Sequence, residues 1–152
     1  MKLLIVEDNS ALAEITAELL CSLDRPAQLL EAITIAQDLQ TAIHCLQGHD
    51  AVLCDGMFPL SPGSRFVVEE WDVVRQEARR RGIHFVLYSG SDRALDCARE
   101  SNTPALAKPA PIEEIYATLT CQQPDKRRKG CSESTLIAQN RKFAGGTRVP
   151  DL

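Results

Sequence analysis

The stretch Ala51-Val52-Leu53-Cys54-Asp55-Gly56-Met57-Phe58-Pro59 decides the fold. Four apolar residues run together and then meet Asp, Gly and, after Met57 and Phe58, Pro. A short continuous apolar run closed by turn residues is the mark of a strand buried on both faces, as in a parallel sheet. The same pattern stands at Leu3–Val6, which ends in Glu7-Asp8, and at Phe85–Tyr88, which ends in Ser89-Gly90. Gln28–Ala32 and Ala105–Ala107 are shorter or weaker versions, the second ending in Lys108-Pro109.

Between these runs the apolar spacing changes to three and four, the period of a helix with one buried face. Leu12, Ile15, Leu19 and Leu23 form one such series, and Ile35, Leu39, Ala42 and Leu46 a second. Val67, Trp71, Val74 and Ala78 form a third, with Trp71 expected in the core. Ala94, Leu95 and Ala98 predict a short helix, and Ile112, Ile115, Tyr116 and Leu119 the last one. Pro111, Glu113 and Glu114 suit the start of that helix, where a missing N–H costs nothing and negative charge meets the dipole. Strand and helix thus alternate five times. The expected fold is α/β: a doubly wound, five-stranded parallel sheet with helices on both faces. Right-handed crossovers give the flavodoxin-like order 2-1-3-4-5.

Composition agrees with a globular domain carrying a tail. Of the 152 residues, 44% are hydrophobic and 25% charged. Residues 1–120 hold 10 Lys and Arg against 18 Asp and Glu, whereas residues 121–152 hold 7 against 3. The periodicity stops after Gln122, so the expected organisation is a domain over 1–122 and a basic, disordered tail over 123–152. That tail is too poor in apolar residues to be an output domain. Its basic run Lys126–Lys129 is read as solvated in preference to a nucleic-acid or membrane contact. No apolar run reaches membrane-spanning length, and the opening apolar run meets Glu7 after four residues, too early for a signal peptide. The expected location is the cytoplasm. The six cysteines form no Cys-x-x-Cys pair and are expected reduced, with Cys54 buried; His44, His49 and His84 are isolated and expected to have no catalytic or metal role.

In such a sheet ligands bind beyond the carboxyl ends of the strands. In the expected order, strands one, three, four and five lie side by side. Glu7, Asp8, Asp55, Ser89 and Lys108 then meet at one edge. Three carboxylates in a small space repel one another, and a divalent cation relieves that repulsion. Oxygen ligands alone favour magnesium, which keeps waters and accepts phosphate oxygens. Lys108 adds a positive charge and Ser89 a hydroxyl. Such a site suits a phosphoryl group, with Asp55 as the carboxylate nucleophile.

Val6-Glu7-Asp8-Asn9, Asp55-x-Met57-Phe58-Pro59, Ser89-Gly90 and Lys108-Pro109 occur in the order and near the spacings of a known family. Over residues 1–120 the chain resembles the receiver domain of bacterial response regulators in two-component systems. The resemblance implies that Asp55 is the phosphoacceptor. It implies that Glu7, Asp8 and Asp55, with the backbone carbonyl of Met57, hold Mg2+. Ser89 and Lys108 would stabilise the phosphoryl group. The donor would be a sensor histidine kinase or a histidine phosphotransfer protein. The output would be contact with a downstream protein, a homodimer included, or onward transfer in a relay. No turnover enzyme is implied beyond the domain's own phosphorylation and dephosphorylation.

The chain departs from the family in two places. The aromatic usual three residues before the strand-five Lys is Ala105 here, and neither Tyr88 nor Tyr116 is a clear substitute in sequence. The stretch Leu60–Arg65 is longer than the usual loop. Each motif alone also has a plain explanation: helix-start acids at Glu7-Asp8, a turn at Asp55-Gly56, a cap at Ser89-Gly90, a solvated loop at Lys108-Pro109. Two other functions compete. One is a phosphorylation-independent scaffold, which Ala105 favours. The other is a magnesium phosphatase of the haloacid dehalogenase type, disfavoured because Met57 stands where that chemistry needs a second Asp.

Overall fold

The computed structural model describes residues 1–121. The tail expected over 123–152, with Lys126–Lys129 and Cys131, lies outside the described residues. The elements run β1 (Lys2–Val6), α1 (Ser10–Asp24), β2 (Ala32–Ala36), α2 (Leu39–Cys45), β3 (Ala51–Cys54), β4 (Phe58–Pro59), β5 (Val67–Val68), α3 (Trp71–Arg80), β6 (His84–Ser89), α4 (Asp92–Glu100), β7 (Ala105–Ala107) and α5 (Ile112–Thr120). Five strands form a parallel sheet in the order β2-β1-β3-β6-β7. With the small β4-β5 hairpin set aside, this is the expected 2-1-3-4-5.

The central strands are apolar throughout because both their faces are covered. Leu4, Val6, Val52, Cys54, Phe85 and Leu87 pack against α2, α3 and α4, which contribute Ala42, Trp71, Val74, Ala78, Ala94 and Ala98. Leu3, Ile5, Leu53 and Val86 pack on the other face against Ala13 and Leu20 of α1 and Ile115 and Leu119 of α5. Trp71 is buried and stacks on Phe85 with ring centroids 6.3 Å apart. Side-chain caps start three helices: Asn9 accepts from the N–H of Leu12, Asp38 from that of Thr41 and Ser91 from that of Ala94.

Four sequence expectations need correction. The second strand is Ala32–Ala36, not Gln28–Ala32. Residues 25–30 instead fold over the end of α1: Gln28 has φ of 51°, and the Asp24 carboxylate accepts from the N–H groups of Leu29 and Leu30. The strand carries Ile33 and Ile35 at period two, so Ile35 belongs to β2 and not to α2. In α1 the residues turned to the sheet are Ala13, Thr16 and Leu20, while Leu12, Ile15 and Leu19 face solvent. Two interleaved series fit the helical period, and the larger side chains lie on the outer one. Val67 lies in β5, ahead of α3.

The long loop after β3 is the β4-β5 hairpin. Phe58 pairs with Val68 and Pro59 with Val67, and Phe58 is fully buried in the α2–α4 layer. Phe66 near its tip is 81% exposed. Among the described residues no helix is long and apolar enough to cross a membrane. Cys54 is buried as expected, and the cysteines of the described residues are all free.

Candidate functional site

Parallel register places the polar residues. Val6 pairs with Cys54, Cys54 with Leu87 and Ser89 with Ala107, so the strands β1, β3, β6 and β7 end side by side. The next residue on three of them is still hydrogen-bonded to a neighbouring strand. Glu7 N–H donates to Ala36 O at 3.0 Å, Asp55 N–H to Val6 O at 2.8 Å and Lys108 N–H to Ser89 O at 2.9 Å. These side chains therefore project from fixed backbone, which is what an ordered site requires.

One oxygen from each of the Glu7, Asp8 and Asp55 carboxylates lies within 4.8 Å of the others. Glu7 is buried, Asp55 half-buried and Asp8 exposed. The Lys108 ammonium lies 2.6 Å from Glu7 Oε2 and 3.0 Å from Asp55 Oδ2. Asp55 Oδ1 accepts from the N–H of Gly56 at 2.6 Å, and Glu7 Oε1 from that of Asn9 at 3.2 Å. Burial raises the pKa of Glu7 despite the opposing pull of Lys108, and the nearby Asp55 charge adds to the rise. Burial works to lower the pKa of Lys108, but Glu7 and Asp55 outweigh it and hold the ammonium above its usual range. The site is thus an acidic cluster with one cation inserted between two of its carboxylates.

Ser89 is buried, and its Oγ accepts from the N–H of Ser91 at 3.1 Å. Gly56 makes room for it: a Cβ there would lie 2.3 Å from Ser89 Oγ and 3.0 Å from Ser89 Cβ. Met57, two residues after Asp55, is 43% exposed. The structure therefore brings together Glu7, Asp8, Asp55 and Lys108, with Ser89 against Gly56, the residue that follows Asp55.

Sequence reading missed the steric role of Gly56. The signal was only the juxtaposition of a Gly after one strand with a Ser after another, which has no meaning until the strands are neighbours. It also left the tyrosines unplaced. Ala105 packs with the α2–α4 layer, whereas Tyr88 and Tyr116 pack with the α1–α5 layer. Neither tyrosine replaces an aromatic at Ala105, because both are on the other face of the sheet.

The donor set suits a hard divalent cation: carboxylate oxygens only, close enough to share one ion, and more negative charge than Lys108 alone balances. No family model matches the chain, and no curated protein matches it. Solved structures do match. A response regulator receiver protein from Sinorhizobium medicae WSM419 is 21% identical with a TM-score of 0.61, covering 80% of this chain and 92% of its own. A LuxR-family DNA-binding response regulator from Staphylococcus aureus is 18% identical with a TM-score of 0.60, covering 79% and 96%. The BeF3-activated form of SdrG from Pseudomonas melonis Fr1 is 26% identical with a TM-score of 0.52, covering 78% and 94%. The fold of residues 1–121 is therefore that of response-regulator receiver domains.

Proposed function

We propose that residues 1–122 are a phosphoacceptor receiver of a two-component phosphorelay, with the segment 123–152 as a separate basic tail. The observation that carries the reading is the Lys108 ammonium placed between Glu7 and Asp55 in a cluster with Asp8. An Asp55 oxygen attacks the phosphorus of a phosphohistidine on a sensor kinase or phosphotransfer protein. The P–N bond breaks, and the imidazole leaves with the electron pair and takes a proton. Lys108 then pairs with the phosphoryl oxygens, and the buried Ser89 hydroxyl donates to them. Glu7, Asp8, Asp55 and the Met57 carbonyl would hold Mg2+. That ion, when bound, neutralises the carboxylates and the charge that spreads over the transferring oxygens. Attack by water on the phosphorus later breaks the Asp55–phosphoryl bond and releases inorganic phosphate.

The partner is a phosphohistidine protein on one side and a downstream protein on the other, in the cytoplasm. The domain does not turn over a separate substrate. A phosphatase of the haloacid dehalogenase type needs an acid two residues after its nucleophile, and the exposed Met57 has no proton to give. The scaffold reading keeps one observation in its favour, the small Ala105 packed where the family carries an aromatic.

Intact-protein mass after incubation with acetyl phosphate tests the proposal. The expected result is a labile gain of one phosphoryl group that requires both magnesium and Asp55, and is absent in Asp55→Ala. No gain with acetyl phosphate or phosphohistidine donors, together with no binding of beryllofluoride, returns the scaffold reading.

A further inference from the structure

Tyr88 is the fifth residue of β6, and the chemistry above gives it no part. Adjacent strand residues point to opposite faces. Ser89 is packed beside Gly56 and Ala94, while Tyr88 is half-buried in the α1–α5 layer. There the Lys108 Nζ lies over its ring, 5.1 Å from the centroid. The Tyr88 hydroxyl accepts from the N–H of Ala110 at 3.4 Å, two residues beyond Lys108. The backbones are held together as well, since Tyr88 pairs with Leu106 and Lys108 N–H donates to Ser89 O. The ring also lines a small pocket shared with Glu7 and Asp55.

The ammonium is thus held by two carboxylates and one aromatic face. These contacts respond differently to a change at the site. Carboxylates that turn toward a metal or carry a phosphoryl group no longer offer Lys108 the same ion pairs. An aromatic face does not compete for a hard cation that keeps its waters, and its attraction for an ammonium persists and grows as water is excluded. Lys108 has a flexible four-carbon stem and would otherwise wander. Its side chain is only 21% exposed, so the ring contact is made with water partly excluded.

We propose that Tyr88 is a positioning residue whose ring face holds the Lys108 ammonium at the acidic edge of the sheet. Its effect on phosphoryl transfer rests on the phosphoacceptor reading of Asp55; the contact itself does not.

The test uses the full chain with Tyr88→Phe, Tyr88→Leu and Tyr88→Met. The last two replace the ring with apolar side chains, and circular dichroism with urea unfolding confirms that each variant folds. Proton NMR reads the ε-methylene signal of Lys108, assigned by its loss in Lys108→Arg. A ring above the lysine shifts that signal upfield of the other lysines. The shift is expected in the wild type and in Tyr88→Phe and absent in Tyr88→Leu and Tyr88→Met. With acetyl phosphate and magnesium, the two ringless variants are expected to gain the phosphoryl group about five- to tenfold more slowly, and Tyr88→Phe to restore the rate to within about twofold. An unshifted lysine signal in the wild type overturns the proposal. So does a wild-type rate in both ringless variants, which makes the tyrosine core filling. A Tyr88→Phe rate as low as that of Tyr88→Leu also overturns it, assigning the effect to the hydroxyl. A wild type that takes up no phosphoryl group overturns the phosphoacceptor reading instead, and the lysine signal then decides the ring contact by itself.

Discussion

The Lys108 ammonium lies 2.6 Å from Glu7 Oε2, a residue 101 positions away in the chain, and 3.0 Å from Asp55 Oδ2. One lysine from the last strand end thus balances carboxylates from the first and third. Charge balance at this edge depends on it, and the first prediction follows. Lys108→Met leaves Glu7 and Asp55 without their cation in a partly desolvated place. The variant should lose about 1–3 kcal/mol of stability, below the full cost of breaking a deeply buried pair because the lysine is partly solvated. Millimolar magnesium should recover most of the loss by supplying the missing charge. Urea unfolding with and without magnesium checks this; an equal loss in both conditions would contradict it.

Gly56→Ala should act through Ser89. The added Cβ would sit 2.3 Å from Ser89 Oγ and 3.0 Å from Ser89 Cβ, so the buried serine must shift. Overpacking of this kind costs about 1–3 kcal/mol. The phosphoryl gain from acetyl phosphate should slow as well, because the hydroxyl is moved from its place against Gly56, the residue after Asp55. A variant as stable and as reactive as wild type would show that the loop yields freely.

Asp24 and Tyr116 supply the pH test. Asp24 is 4% exposed; its carboxylate accepts from Tyr116 Oη at 2.6 Å and from the N–H groups of Leu29 and Leu30. Burial pushes its pKa up, but these hydrogen bonds outweigh burial and hold it below the usual carboxylate value. A lowered folded pKa gives stability that is present above the unfolded value of about 3.9 and is lost as pH falls through the folded one. Tyr116→Phe should therefore cost about 1–2 kcal/mol near neutral pH, with the deficit shrinking in acid. Burial, with the Asp24 bond and charge, pushes the Tyr116 phenol up to about 12. Its contribution should hold below the unfolded value of about 10 and fade only as pH rises through the folded one. Urea unfolding across pH, with an ultraviolet tyrosine titration, reads both limbs. A deficit that does not change with pH would contradict the assignment.

The two faces of α1 should respond oppositely to truncation. Leu20 is fully buried and Ile15 is 54% exposed. Leu20→Ala should cost about 2–5 kcal/mol and Ile15→Ala no more than about 0.5 kcal/mol. Chemical denaturation of the two variants checks this; a larger loss for Ile15→Ala than for Leu20→Ala would mean that the outer series is the buried one.

The central strands were legible because burial on both faces leaves an unbroken apolar run, and Ala51–Cys54 lies where that pattern put it; the edge strand Ala105–Ala107, a weaker version of the run, also lies where it was expected. The second strand was not, because its predicted start fell in a segment that the Asp24 carboxylate folds into a turn. The phase of α1 was ambiguous for a different reason. Leu12, Ile15 and Leu19 and the series Ala13, Thr16 and Leu20 both fit the helical period, and only the sheet beneath selects the smaller side chains. The β4-β5 hairpin has strands of two residues each, too short to impose any period on the sequence.

The candidate site divides along the same line. By itself the sequence determined which residues follow the strand ends, hence a carboxylate-rich edge with one lysine and one serine, because strand order and handedness confine them there. Tertiary structure alone decided that Lys108 reaches Glu7 as well as Asp55, that Gly56 is the space in which Ser89 fits, and that Tyr88 lies under Lys108 on the face away from Ala105. Those relations depend on side-chain direction and on distances of a few ångströms between residues far apart in the chain, and such distances exist only once the strands are paired in register.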